Sequence, residues 1–110
     1  MYATAYNSHI IKVLKSATFE RWLRGLRDRQ AIARINIRLE MVSLGHVGDA
    51  KSVGSGVSEL RINYGPGYRV YFVFVRADVI ALLCGGDKDS QRRDIERAKR
   101  MATDWRETHG

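Results

Sequence analysis

The chain has 110 residues, a formal charge of +7 at pH 7 and a sequence pI near 10.0, with Arg outnumbering Lys. At 45% apolar residues it can bury one modest core, which predicts one domain over 1–110 and excludes two independent ones. Its single cysteine excludes an internal disulfide, and no apolar run reaches the roughly 18 residues of a membrane span, so a soluble protein of a reducing, cytoplasmic compartment is expected.

In chain order, 1–7 is polar and expected to fray, and 8–15 (SHIIKVLK) reads as a first strand. Thr18 is an N-cap candidate for a helix in which Phe19, Trp22, Leu23 and Leu26 recur at helical spacing. A break near Asp28 opens a second helix with Ile32, Ile35, Leu39 and Val42 on one stripe, ended by Gly45 and Gly48. So short a connection predicts an antiparallel helical hairpin. The Gly- and Ser-rich stretch from His46 to Gly56 reads as a surface loop. Strands follow over 57–64, 68–76 and 79–84, separated by the turns Gly65-Pro66-Gly67 and Ala77-Asp78. A last helix over 90–107 carries Ile95, Ala98, Ala102 and Trp105 on one stripe. The predicted order is β-α-α-β-β-β-α, an α+β domain with helices packed on a small, largely antiparallel sheet.

Two places carry candidate chemistry. The period of 2 puts Arg61 and Asn63 on the face opposite Leu60 and Ile62, while Arg69 and Tyr71 share a face of the next strand. If that face is open, Arg61, Arg69 and Tyr71 converge across strands about 5 Å apart, where guanidinium groups can hold a phosphate. The alternative is that these residues are strand cations paired with Glu59 or Asp87. The second place is Gly85-Gly86-Asp87-Lys88-Asp89-Ser90. Glycines at a strand end permit close approach of a ligand, the helix start offers free N–H groups, and Lys88 stands beside them. A capped strand-to-helix turn accounts for every residue there except the paired glycines, so spacing leaves cap and site open. Lys51 in the loop could reach a phosphate from the side, and His46 is a lone candidate base. One Cys and three scattered His offer no metal-ligand spacing, and no phosphate-binding loop or nucleotide fingerprint is present.

The strings GDAKSVGSGVSELRINYGPGYRVYF and LLCGGDKDSQRRDIERA resemble the RelE/ParE toxin superfamily, and within it the phage-derived Gp49-like, HigB-type addiction module killers. The resemblance runs from about Phe19 to Trp105. It implies a toxin of a type II toxin–antitoxin system, a ribosome-associated mRNA endonuclease that needs neither metal nor cofactor and inhibits translation. Carried over, Arg61, Arg69 and Lys88 take catalytic positions and Lys51 matches a basic loop position; Tyr71 is added as a catalytic candidate for the acid or base step, and Asn63, Gln91 and Arg92 join Lys51 as expected RNA-binding positions. The implied partners are an adjacently encoded helix-turn-helix antitoxin, mRNA and the ribosome, and operator DNA through the antitoxin complex. The segment from Asp87 to Ile95 departs from the pattern, because it lacks the histidine or tyrosine such enzymes use for proton transfer. Other expectations are a ParE-like inhibitor of DNA gyrase and a non-catalytic basic module acting with its antitoxin.

Overall fold

The computed structural model describes residues 10–109; the expected fraying of 1–7 and the first strand's opening residues, Ser8 and His9, lie outside it. The elements are β1 (Lys12–Lys15), α1 (Ala17–Arg24), α2 (Arg29–Ser43), β2 (Ala50–Gly54), β3 (Val57–Ile62), β4 (Tyr68–Arg76), β5 (Val79–Gly86) and α3 (Gln91–His109). They form the α+β arrangement read from the sequence, with one strand more. The five strands lie in the order β1-β5-β4-β3-β2, with β1 parallel to β5 and all other pairs antiparallel. Among the described residues no helix is long and apolar enough to cross a membrane.

Each face of the sheet has its own core. Phe19 of α1 and Ile35, Leu39 and Val42 of α2 pack on Leu60, Ile62, Val70, Phe72, Ile80 and Leu82. On the opposite face Ala98 and Ala102 of α3 pack on Val57, Tyr71, Val73, Ala81, Leu83 and Cys84, with Ile95 and Trp105 partly buried beside them. Every residue of β5 is buried, as its unbroken apolar run requires of a strand covered on both faces.

The α1 cap is Ser16 rather than Thr18: its hydroxyl accepts from Phe19 N at 2.9 Å and donates to Leu83 O at 2.7 Å. Pairing of β1 continues to Ser16 N, which donates to Leu82 O, so the helix must start at once and Thr18 falls inside its first turn. Asp28 caps α2 through Gln30 N and Ala31 N. At the other end Gly45, with φ of 91°, donates to Val42 O while His46 N donates to Met41 O. That pair of bonds is a Schellman motif, and it gives His46 a backbone role.

The stretch read as a loop from His46 to Gly56 contains β2, which pairs with β3 through a turn at Ser55 and Gly56. Both turn residues have positive φ (57° and 78°), the requirement of a tight hairpin whose twist matches its strands. Glycine and serine concealed this strand because the hairpin lies at the sheet edge, where few side chains are needed for packing. The strand expected over 57–64 ends at Ile62, and β5 extends to Gly86, so both glycines are strand residues.

Between β4 and β5 the register shifts. Phe72 opposes Leu82 and Tyr71 opposes Cys84, which leaves Leu83 as an extra, bulged residue. The bulge inverts the alternation for the rest of β5. Gly85 consequently faces the α1–α2 core and Gly86 faces α3. A side chain at Gly85 would overlap the Trp22 ring, and one at Gly86 would overlap the Asp94 carboxyl and Ser90 Oγ. Close packing against these two residues, one on each face, is the physical reason for two glycines in succession.

Candidate functional site

Register sets Arg61, Arg69 and Gly86 in one row across β3, β4 and β5, and Lys51, Glu59, Tyr71 and Cys84 in the next across β2 to β5. Directly opposed strand residues share a face, so Lys51, Glu59, Arg61, Arg69 and Tyr71 all lie on the side that carries α3. The expected convergence of Arg61, Arg69 and Tyr71 is present, but the face is not open. The first turn of α3 covers it, and the side chains converge on Glu59, which is fully buried.

Glu59 accepts hydrogen bonds from Arg61 Nε at 3.2 Å, the Tyr71 hydroxyl at 3.1 Å and Gln91 Nε2 at 2.7 Å. Arg69 Nε lies 3.5 Å from Glu59 Oε2, within ion-pair range but not aligned for a hydrogen bond. Burial pushes the Glu59 carboxyl upward; the bonds from Gln91, Arg61 and Tyr71, with the charge of Arg69, outweigh it and hold the group below the usual carboxylate range. Tyr71 responds oppositely. Burial, then the Glu59 charge and hydrogen bond, push its phenol far above its ordinary value. Its proton is committed to Glu59 and its side chain is wholly enclosed, so it braces the site from within.

The two arginines face outward to different degrees, with 34% of the Arg61 side chain exposed and 13% of Arg69. Arg69 Nη1 donates to Gly67 O at 2.8 Å. A Cβ built at Gly67 would stand 3.3 Å from Arg69 Nη1 and 3.6 Å from the Cβ of Lys88, so the β4 entry turn borders both the Arg69 guanidinium and the root of the Lys88 side chain. Lys88 is exposed, and Lys51 is exposed on β2 at the same register as Glu59. Among the described residues the Nη atoms of Arg61 and Nη2 of Arg69 have no polar partner. One buried carboxylate therefore fixes two guanidinium groups, with one lysine beside Arg69. The resulting rim is cationic and has free donors for an anion.

Three expected positions take a particular form. Asn63 follows the end of β3 at Ile62 and, together with Arg61, lines a groove of about 680 Å³ against Ala33, Arg34, Ile37 and Arg38 of α2. In the turn before α3, Asp87 Oδ1 accepts from Asp89 N at 3.0 Å and Ser90 N at 3.1 Å, so that carboxylate holds the turn leading into the helix. Gln91 is oriented inward as a donor to Glu59 rather than outward, whereas Arg92 is exposed on the same turn. Sequence reasoning named Glu59 only as a partner of surface cations and missed it as the hub. Its signal was the Glu59/Arg61 spacing of two residues together with its cross-strand register to Tyr71. Among the described residues no group of three or more His, Cys, Asp or Glu is placed to hold a metal ion.

Residues 21–103 match the family described as phage derived protein Gp49-like. The chain is also 45% identical over 92 residues to an uncharacterized protein of Haemophilus influenzae, an alignment covering 84% of this chain and 93% of that relative. The fold and these matches define the class together: the chain belongs to the Gp49-like family, a RelE/HigB-type toxin family. It is thus a toxin-like protein, and the family implies an antitoxin as partner.

Proposed function

We propose that this chain is the toxin of a type II toxin–antitoxin system and cuts mRNA at the ribosome in the cytoplasm, inhibiting translation. The observation that supports this most directly is the pair of arginines held by buried Glu59, with free Nη donors and Lys88 alongside. In this reading an RNA 2′-hydroxyl attacks the adjacent phosphate and loses its proton to water. The P–O5′ bond breaks, leaving a 2′,3′-cyclic phosphate and a 5′-hydroxyl. Arg69 stabilises the charge that grows on the phosphate, and donors already fixed in place do so without reorganising during the reaction. Arg61 positions the backbone, and the exposed Lys88 ammonium delivers a proton to the departing 5′ oxygen. Tyr71 serves as a positioning residue through Glu59, because its proton is enclosed. Lys51 and Arg92 extend the cationic rim toward the flanking nucleotides. Nothing asked of these side chains requires a metal or cofactor. An acidic or helix-turn-helix antitoxin would cover this rim, and charge complementarity would speed its capture.

The test is induced expression with mapping of transcript 5′ ends. Lys88→Ala, at an exposed position, and Arg69→Ala should each lower cleavage by about 10²–10³-fold, the usual loss on removing one transition-state donor. Their circular dichroism should remain that of a folded chain. Intact messages accompanied by DNA damage would replace this reading with gyrase inhibition. Full cleavage by both variants would remove these residues from the chemistry.

A further inference from the structure

A cleft of about 480 Å³ opens at the end of β5 along the Gly86–Ser90 turn, and neither Arg69 nor Lys88 lines it. Its walls are Trp22 of α1 and Arg93, Arg97 and Arg100 of α3. It exists because β1 pairs with β5 only as far as Leu82, so the last residues of β5 have no strand on that side. Gly85 then admits the Trp22 ring, which forms the aromatic wall.

The three arginines recur at i, i+4 and i+7, so they form one row with rises of about 6 Å and 4.5 Å along the helix axis. All three are exposed, and among the described residues none is paired with a carboxylate. Two carboxylates also line the cleft, but both are turned to internal work. Asp94 is buried and bonded to Ser90 Oγ, and Asp87 accepts from Asp89 N and Ser90 N in the turn before α3. The surface offered to solvent is therefore a row of unpaired guanidinium groups beside an indole. Cations that track a backbone and an aromatic wall that meets bases are the two components of single-strand recognition.

We infer that this cleft holds the single-stranded RNA flanking the cut, with its phosphates on Arg93, Arg97 and Arg100 and a base against Trp22. The inference rests on the endoribonuclease reading, and it places the second binding segment along the Gly86–Ser90 turn. Gly86 stands in register with Arg69, so a strand leaving the Arg69–Lys88 rim meets the cleft directly. An acidic peptide would match the charge but would gain nothing specific from the indole.

The test uses the full chain and a labelled single-stranded 2′-O-methyl RNA of about 12 nucleotides, which resists cleavage and suits the site size of such grooves. The variant is Arg93→Gln/Arg97→Gln/Arg100→Gln, at exposed helical positions where Gln keeps the helix. Its affinity should fall at least tenfold. The slope of log K against log salt should shrink by about 2, as expected when three single-strand phosphate contacts are lost. RNA should quench wild-type tryptophan emission and quench Trp22→Phe distinctly less. Unchanged affinity and slope in the triple variant would overturn the inference, as would displacement of the RNA by polyaspartate as readily as by polyuridylate. Loss of binding in the triple variant of a chain that cuts no message would leave the cleft standing and sink the endoribonuclease reading. Message cleavage with unchanged binding by the triple variant would do the reverse.

Discussion

Replacing Glu59 with Ala removes the acceptor that three side chains share, and the cost can be worked from its surroundings. The Tyr71 hydroxyl is enclosed and would lose its bond to Glu59, a penalty of about 1–3 kcal/mol for an unsatisfied buried donor. Arg69 is nearly buried and would keep its charge without a counterion. Arg61 is about one-third exposed and rehydrates, so its share is at most about 1 kcal/mol. Gln91 is half-buried at the helix start and regains water. The total is about 3–5 kcal/mol, the range for breaking one side of a buried ion pair. Against a stability of about 5–15 kcal/mol for a domain of this kind, the variant becomes marginal. Urea unfolding followed by circular dichroism measures this directly. Tyr71→Phe supplies the second arm of a double-mutant cycle, with a coupling energy of about 1–2 kcal/mol expected for residues in one network. A cost below about 1 kcal/mol for Glu59→Ala, or strict additivity with Tyr71→Phe, would show that Glu59 does not hold the site together.

Two further outcomes follow from the same geometry. Gly85→Ala drives a methyl group into the Trp22 ring and should cost about 1–3 kcal/mol by overpacking; Trp22→Leu should restore part of the loss, and a neutral Gly85→Ala in thermal unfolding would contradict the packing account. The lowered Glu59 carboxyl links stability to pH: its contribution is fully present above the unfolded value near 4.5 and is lost as pH falls through the lower folded value. The stability gap between wild type and Glu59→Gln should therefore stay constant above about pH 5.5 and narrow below pH 4.5, and a gap that widens in acid would reverse the assigned sign.

Much of the fold was legible because its signals are local. The period of 2 placed Arg61 opposite Leu60 and Ile62 and set Arg69 with Tyr71, and the structure keeps both arrangements. The stripe of Ile95, Ala98, Ala102 and Trp105 packs on the sheet as helical spacing required. What failed to show locally was β2, whose Ala-Lys-Ser-Val-Gly gains its strand character only by pairing with β3 at the sheet edge.

The candidate site divides along the same line. Sequence alone determined which cations share a face and that Lys88 stands at the strand-to-helix turn, since alternation and chain order are one-dimensional facts. Only the tertiary structure decided that α3 covers the face, that Glu59 is buried beneath it, and that Tyr71 braces rather than meets solvent. Packing also decided the role of Gly85 and Gly86, because the bulge at Leu83 turns one toward Trp22 and the other toward Asp94. Burial and register join residues far apart in the chain, such as Glu59 and Gln91, and no local pattern records such a meeting.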